Sequence, residues 1–143
     1  MIKVKVLFLC TGNSARSQMA EAFLREYGGE WFEAYSAGTE PKGIHPDTNR
    51  VMEEIGISLS GQQSKHVKEY MGKVHFGYLI TLCGEAEERC PTTFPGIGRR
   101  LRWSFEDPSA FGGSEGEKLA KFREVRDGIE QQIKTWLAEV QAK

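Results

Sequence analysis

Val4-Lys5-Val6-Leu7-Phe8-Leu9, then Cys10-Thr11-Gly12-Asn13-Ser14-Ala15-Arg16-Ser17, is the stretch on which the fold of this chain turns. The first six residues form a short, mainly apolar run, which reads as a strand buried on both faces. An amphipathic helix begins near Gln18, with Ala20, Phe23, Leu24 and Tyr27 at helical spacing until Gly28-Gly29 stops it. A strand turning sharply into a helix leaves several backbone N–H groups converging with the positive end of the helix dipole. A tetrahedral oxyanion fits such a spot, and the same field favours a thiolate at Cys10. Gly12 and Asn13 tolerate the positive φ that a cradle needs, Arg16 supplies a countercharge, and the Ser17 hydroxyl can hydrogen-bond the sulfur. Cys10 is therefore read as a nucleophile facing a bound anion, because an inert structural cysteine would leave the small, polar run after it unexplained.

The rest of the chain repeats the strand and helix alternation. Trp31 to Ala37 reads as a second strand ended by Gly38, and Pro46 opens a helix whose Val51, Met52 and Ile55 face the core before Gly56 closes it. Phe76 to Leu82 is a third strand and Leu101 to Phe105 a short fourth. Leu119, Phe122, Val125, Ile129, Ile133, Trp136 and Val140 mark a long final helix. Such an order predicts the α/β class, a mostly parallel sheet covered on both faces. Pro108 to Gly116, rich in Gly and Ser, is expected to be a mobile surface loop. The 143 residues suffice for a self-contained core, and the expectation is a single domain over 1–143 without internal repeats.

Charge excludes several partners. Nineteen Lys and Arg against 20 Asp and Glu give a formal charge of -1, spread along the chain, so nucleic acid and membrane surfaces have no electrostatic claim on it. No apolar stretch approaches the ~20 residues of a membrane span, and no signal-peptide grammar follows Met1. A cytoplasmic monomer is expected, with no cofactor. Three cysteines are an odd number without zinc-finger spacing, which in a reducing compartment points to chemistry. His45, His66 and His75 are too scattered to be metal ligands, and Trp103 and Trp136 read as core. Arg99, Arg100 and Arg102 form a basic cluster that is either a solvated edge or a docking point for a partner.

In open α/β sheets the ligand sits beyond the carboxyl ends of the strands. Cys10, Cys83 and Asp107 all fall there. Asp107-Pro108 offers a carboxylate able to protonate a leaving oxygen on a stiffened loop, while Glu106 should point the other way. Cys83 and Cys90 bracket the helix-prone segment Gly84 to Arg89. If that segment is helical throughout, the two Cα atoms lie about 10 Å apart, too far for a disulfide without unwinding. The pair is then either two unrelated thiols or a redox relay hinged at Gly84.

Taken together, Cys10 to Glu21, Tyr35-Ser36-Ala37-Gly38, Thr81-Leu82-Cys83 with Cys90-Pro91, Asp107-Pro108 and Phe122 to Asp127 resemble the thioredoxin-coupled arsenate reductases over nearly the whole chain. The resemblance implies the low-molecular-weight protein tyrosine phosphatase fold, a four-stranded parallel sheet in order 2-1-3-4. It also implies Cys10 as nucleophile, Thr11, Gly12, Asn13, Ser14, Ala15 and Arg16 as the oxyanion site, and Cys83 and Cys90 as the relay. Arsenate would be the substrate and thioredoxin the reductant. Two-electron reduction needs a pair of thiols, whereas phosphate ester hydrolysis needs one thiol and water, so the extra cysteines favour reduction.

Alanine at position 15, where some relatives carry cysteine, leaves this scheme intact. Some members bind potassium through groups matching Asn13, Glu21 and Ser36 with an aspartate matching position 65. Lys65 here is expected to replace the ion by pairing with Glu21 or its neighbours. The runner-up is a low-molecular-weight tyrosine phosphatase, against which Ser109 stands where those enzymes place an aromatic. A noncatalytic phosphate-binding module would leave three thiols without purpose.

Overall fold

A computed structural model of the chain describes residues 2–83 and 97–141. Four strands, β1 (Val4–Cys10), β2 (Phe32–Gly38), β3 (Phe76–Thr81) and β4 (Ile97–Arg102), form an all-parallel sheet in the order β2-β1-β3-β4. Among the described residues three helices follow strands: α1 (Arg16–Gly28) after β1, α2 (Pro46–Glu53) after β2 and α3 (Glu115–Gln141) after β4.

Successive side chains of a strand point to opposite faces, and β1 divides its apolar residues accordingly. Val6, Phe8 and Cys10 enter one core with Met19 and Phe23 of α1, Met52 of α2, and Ile129 and Trp136 of α3. Leu7 and Leu9 enter the other, under Val67, Tyr70 and Val74 around a 3-10 turn at Val67–Glu69. Tyr35, Tyr70 and Phe76 meet edge to face there, at centroid distances of 5.3 to 5.8 Å. Each fully buried Leu or Phe of β1 contributes about 1.5–3 kcal/mol over leaving it exposed. β1 is thus fixed from both sides, and its last residue, Cys10, inherits that fixity.

The end of α2 is locked to α3 by a charged clamp. Glu54 accepts from Arg123 Nη2 at 2.7 Å and from Arg126 Nη1 at 2.9 Å, and Arg126 Nη1 also reaches Val51 O at 2.8 Å. The hydrogen bond from Arg123 holds the Glu54 carboxyl down to about 2.

Several boundaries differ from those the sequence suggests. Helix α1 starts at Arg16, two residues before Gln18, since Arg16 and Ser17 are buried for polar reasons that hydrophobic periodicity cannot register. Strand β4 runs Ile97–Arg102 instead of Leu101–Phe105. Residues beyond it stay extended against β3, with Trp103 N–H on Thr81 O (2.8 Å) and Phe105 N–H on Leu82 O (3.3 Å). Helix α2 ends at Glu53, so Ile55 is 38% exposed and Ile57 takes the buried place. Trp31 precedes β2 and is exposed, while Trp136 is buried and Trp103 packs against the core. The Pro108 to Gly116 stretch opens with a 3-10 turn at Pro108–Ala110. Among the described residues no helix is long and apolar enough to cross a membrane.

Candidate active site

Residues 11–15 form a loop whose carbonyls all find partners outside it. Thr11 O accepts from Glu40 N–H (2.9 Å), Gly12 O from Lys42 N–H (3.0 Å) and Asn13 O from Gln18 Nε2 (3.1 Å). Ser14 O accepts from His45 N–H (3.0 Å) and the Thr48 hydroxyl (2.8 Å), and Ala15 O from Met19 N–H (2.9 Å). Across a trans peptide C=O and N–H point in opposite directions, and the described chain has no cis bonds. Carbonyls turned outward therefore turn the next amides inward, onto the spot beside Cys10. At the helix start Ala15 offers no side-chain cap to the first-turn amides, which a bound anion would satisfy.

Two residues make that curvature possible. Asn13 sits at φ 47°, in the left-handed region it tolerates. Gly12, expected to share that conformation, does not adopt it; its value lies in the missing side chain. Gly38, at the end of β2, lies so close that a Cβ there would be 2.5 Å from Thr11 O and 3.0 Å from Asn13 N. Only glycine lets β2 close against the loop.

The nucleophile is held by a short polar chain. Cys10 Sγ lies 2.8 Å from Ser17 Oγ, and both residues are at most 1% exposed. Asn13 Nδ2 donates to Ser17 Oγ at 2.7 Å, which leaves the hydroxyl hydrogen of Ser17 for the sulfur. Asn13 Oδ1 in turn accepts from Lys65 N–H at 2.8 Å, and this assigns the orientation of its amide.

Arg16, 2% exposed, donates through Nη1 to Leu82 O (3.3 Å) and Phe105 O (3.1 Å), and its Nη2 stands 3.7 Å from Asp107 Oδ2. Those carbonyls lie beyond β3 and β4, so one guanidinium ties two segments, one after each strand, to the loop. Asp107 Oδ1 accepts from Ser109 N–H (3.0 Å) and the Ser109 hydroxyl (2.6 Å), leaving Oδ2 turned toward Arg16. The positioning role of Ser109 is a further one beyond the sequence reading, which weighs that residue only as the absence of an aromatic; the Asp107-Pro108-Ser109 spacing is that of an Asx turn. Glu106 points elsewhere, as expected, and pairs with Lys121.

Cys83 lies two residues beyond β3, which pairs with β1 through Leu9 and Thr81; Leu82 N–H continues the ladder to Leu9 O at 2.8 Å. Cys10 and Cys83 therefore emerge from adjacent strands at one end of the sheet. Cys83 is fully buried and disulfide-bonded, whereas Cys10 is a free thiol. Cys90 and the acidic segment before it lie outside the described residues.

Lys65 does not pair with Glu21. Its ammonium donates to Gln63 O, and burial pushes the amine down despite the nearby Glu21 and Glu69 carboxylates. Glu21 is instead taken by Ser36 Oγ (2.6 Å) and by Arg25, one turn along α1, whose reach at i+4 outcompetes a lysine from another segment. A polar cavity of about 260 Å³ lies between Arg25, Tyr35, Lys65 and Tyr70. His45 and His66 cap α2 and the 3-10 turn, and no metal-ligating cluster forms among the described residues.

The chain is similar to known proteins over nearly its whole length. An arsenate reductase of Halalkalibacterium halodurans is 44% identical over 137 residues, covering 95% of this chain and 96% of its own length. One of Bacillus subtilis is 42% identical over 129 residues, covering 90% and 91%. Among solved structures, an arsenate reductase in the phosphate binding state superposes with a TM-score of 0.79 at 32% identity over 95% of this chain and 98% of that one. A thioredoxin-dependent arsenate reductase of Corynebacterium glutamicum gives 0.70 at 28% identity over 98% of this chain and 63% of that one. With residues 5–143 matching the low molecular weight phosphotyrosine protein phosphatase family, the chain belongs to that family and stands among its arsenate reductases.

Proposed function

We propose that this protein reduces arsenate to arsenite through a relay of Cys10, Cys83 and Cys90, with thioredoxin as the reductant. The observation that carries the reading is the contrast between a free Cys10 inside the loop and a disulfide-bonded Cys83 at the end of the adjacent strand. The named activities of the relatives support it.

The Cys10 thiolate attacks arsenic, held by the loop amides and Arg16. Asp107 supplies the proton with which one arsenate oxygen leaves as water, giving a sulfur-bonded As(V) adduct. Cys83 then attacks the Cys10 sulfur. The new S–S bond forms as the S–As bond breaks, its electron pair stays on arsenic, and As(III) departs as arsenite. Cys90 attacks Cys83, freeing Cys10 and leaving a Cys83–Cys90 disulfide for the dithiol of thioredoxin to reduce. Ser17, donating to Cys10, stabilises the thiolate at the start and at its return.

The phosphatase reading needs only Cys10, Arg16 and Asp107, and the family's description favours it. It gives the Cys83 disulfide no task. Arsenate-dependent NADPH oxidation with thioredoxin and its reductase, run beside hydrolysis of an aryl phosphate, separates the two. Coupled oxidation with weak hydrolysis is expected; hydrolysis without arsenate-dependent oxidation would overturn the proposal.

A further inference from the structure

We infer that Lys42 is an electrostatic binding residue of the oxyanion loop, drawing anions to Cys10 and offsetting charge that Arg16 alone leaves unbalanced. The inference rests on the oxyanion-loop reading above.

Lys42 lies in the segment between β2 and α2, and its backbone is fastened to the loop. Its N–H donates to Gly12 O at 3.0 Å, and the Ser64 hydroxyl approaches the same carbonyl at 3.4 Å. A Cβ built on Gly12 would stand 3.6 Å from Lys42 Cδ and 3.9 Å from Cγ. The aliphatic stem of the lysine therefore lies across the glycine, with its charged end in water, as long cationic side chains do. Gly12 thus provides the seat for that stem at the rim of the loop.

Charge balance gives the ammonium its task. Arsenate or phosphate near neutral pH is largely dianionic, and in the proposed reaction it binds beside the nucleophilic sulfur of Cys10. The cation inside the loop is Arg16, which already faces Asp107 at 3.7 Å. Lys42 is exposed, and among the described residues no carboxylate lies within salt-bridge distance of its ammonium. A unit charge on the order of 8 Å from a dianion, in a medium near the dielectric of water, changes its binding about fivefold. At that range the effect is strong at about 10 mM ionic strength and nearly gone at about 1 M.

The test uses inorganic phosphate, which occupies the loop without being reduced. Calorimetric titration of wild type, Lys42→Ala and Lys42→Arg is run at both salt levels, with kcat and KM for arsenate measured in parallel. For Lys42→Ala the phosphate Kd and arsenate KM rise about fivefold at low salt, kcat changes by less than about twofold, and the deficit collapses at high salt. Lys42→Arg keeps the charge and binds like wild type. Wild-type phosphate affinity in Lys42→Ala at low salt would overturn the inference. So would a deficit that persists in salt, or one that arginine fails to rescue, since either marks a structural role. If the protein reduces no arsenate, the proposed function fails while the phosphate titration still decides the role of Lys42.

Discussion

The two ends of the sheet follow opposite rules. Where the strands end, Cys10, Asn13, Ser17 and Gln18 are at most 1% exposed, and every carbonyl from Thr11 to Ala15 has a donor outside the loop. Where the strands begin, Val4 and Trp31 are each 42% exposed, and with Phe32, Tyr78 and Val140 they line a cavity of about 530 Å³. A buried polar group must find a partner or cost free energy, so a polar end admits one geometry. Apolar contacts tolerate a gap. The loop can thus hold a nucleophile and an anion in fixed relation, while the far end only has to exclude water loosely.

One added methyl group probes both ends. Gly38→Ala puts a Cβ 2.5 Å from the backbone oxygen of Thr11, which cannot move without opening the loop. The cost is about 3 kcal/mol or more in urea unfolding, with activity lost. Next in size, Ser17→Ala removes the donor to Cys10 and strands the Asn13 amide. Stability falls by about 1–3 kcal/mol and kcat about tenfold, read by unfolding and by steady-state kinetics. Gly77→Ala also meets an atom at 2.5 Å, but that atom is Cγ1 of the half-exposed Val4, free to turn. Its cost is about 1 kcal/mol or less with activity intact; an effect as large as that of Gly38→Ala would erase the contrast between the ends.

The smallest effect belongs to the clamp between α2 and α3, which touches neither end. The folded value of Glu54, about 2, lies below its ordinary 4.5, so its stabilisation is complete above the latter and fades as pH falls toward the former. Glu54→Gln should melt about 1–3 °C below wild type at neutral pH. The gap closes between pH 4.5 and 2, and activity is unchanged. A gap that widens in acid would remove the clamp from the account.

These contrasts also explain what could be read from sequence. The loop was legible because small and polar residues after an apolar strand admit few structures, and strand order followed from the resemblance its motifs carry. Arg16 and Ser17 carry no apolar signal, so hydrophobic periodicity starts the helix at Gln18, two residues after its true first residue. Strand β4 hid behind Arg99, Arg100 and Arg102, whose charges suit an exposed edge and obscure its period. Glu54 with Arg126, 72 residues apart, is a pairing that chain order does not encode, whereas Glu21 with Arg25 stands at i,i+4 on α1 and is legible once the helix is placed.

The sulfur relay is tested most directly by Cys90→Ser, reduced beforehand and freed of reductant, then given arsenate and finally thioredoxin. Release of about one arsenite per chain, with no further turnover once thioredoxin is added, is the predicted result. Sustained turnover at the wild-type rate would contradict it.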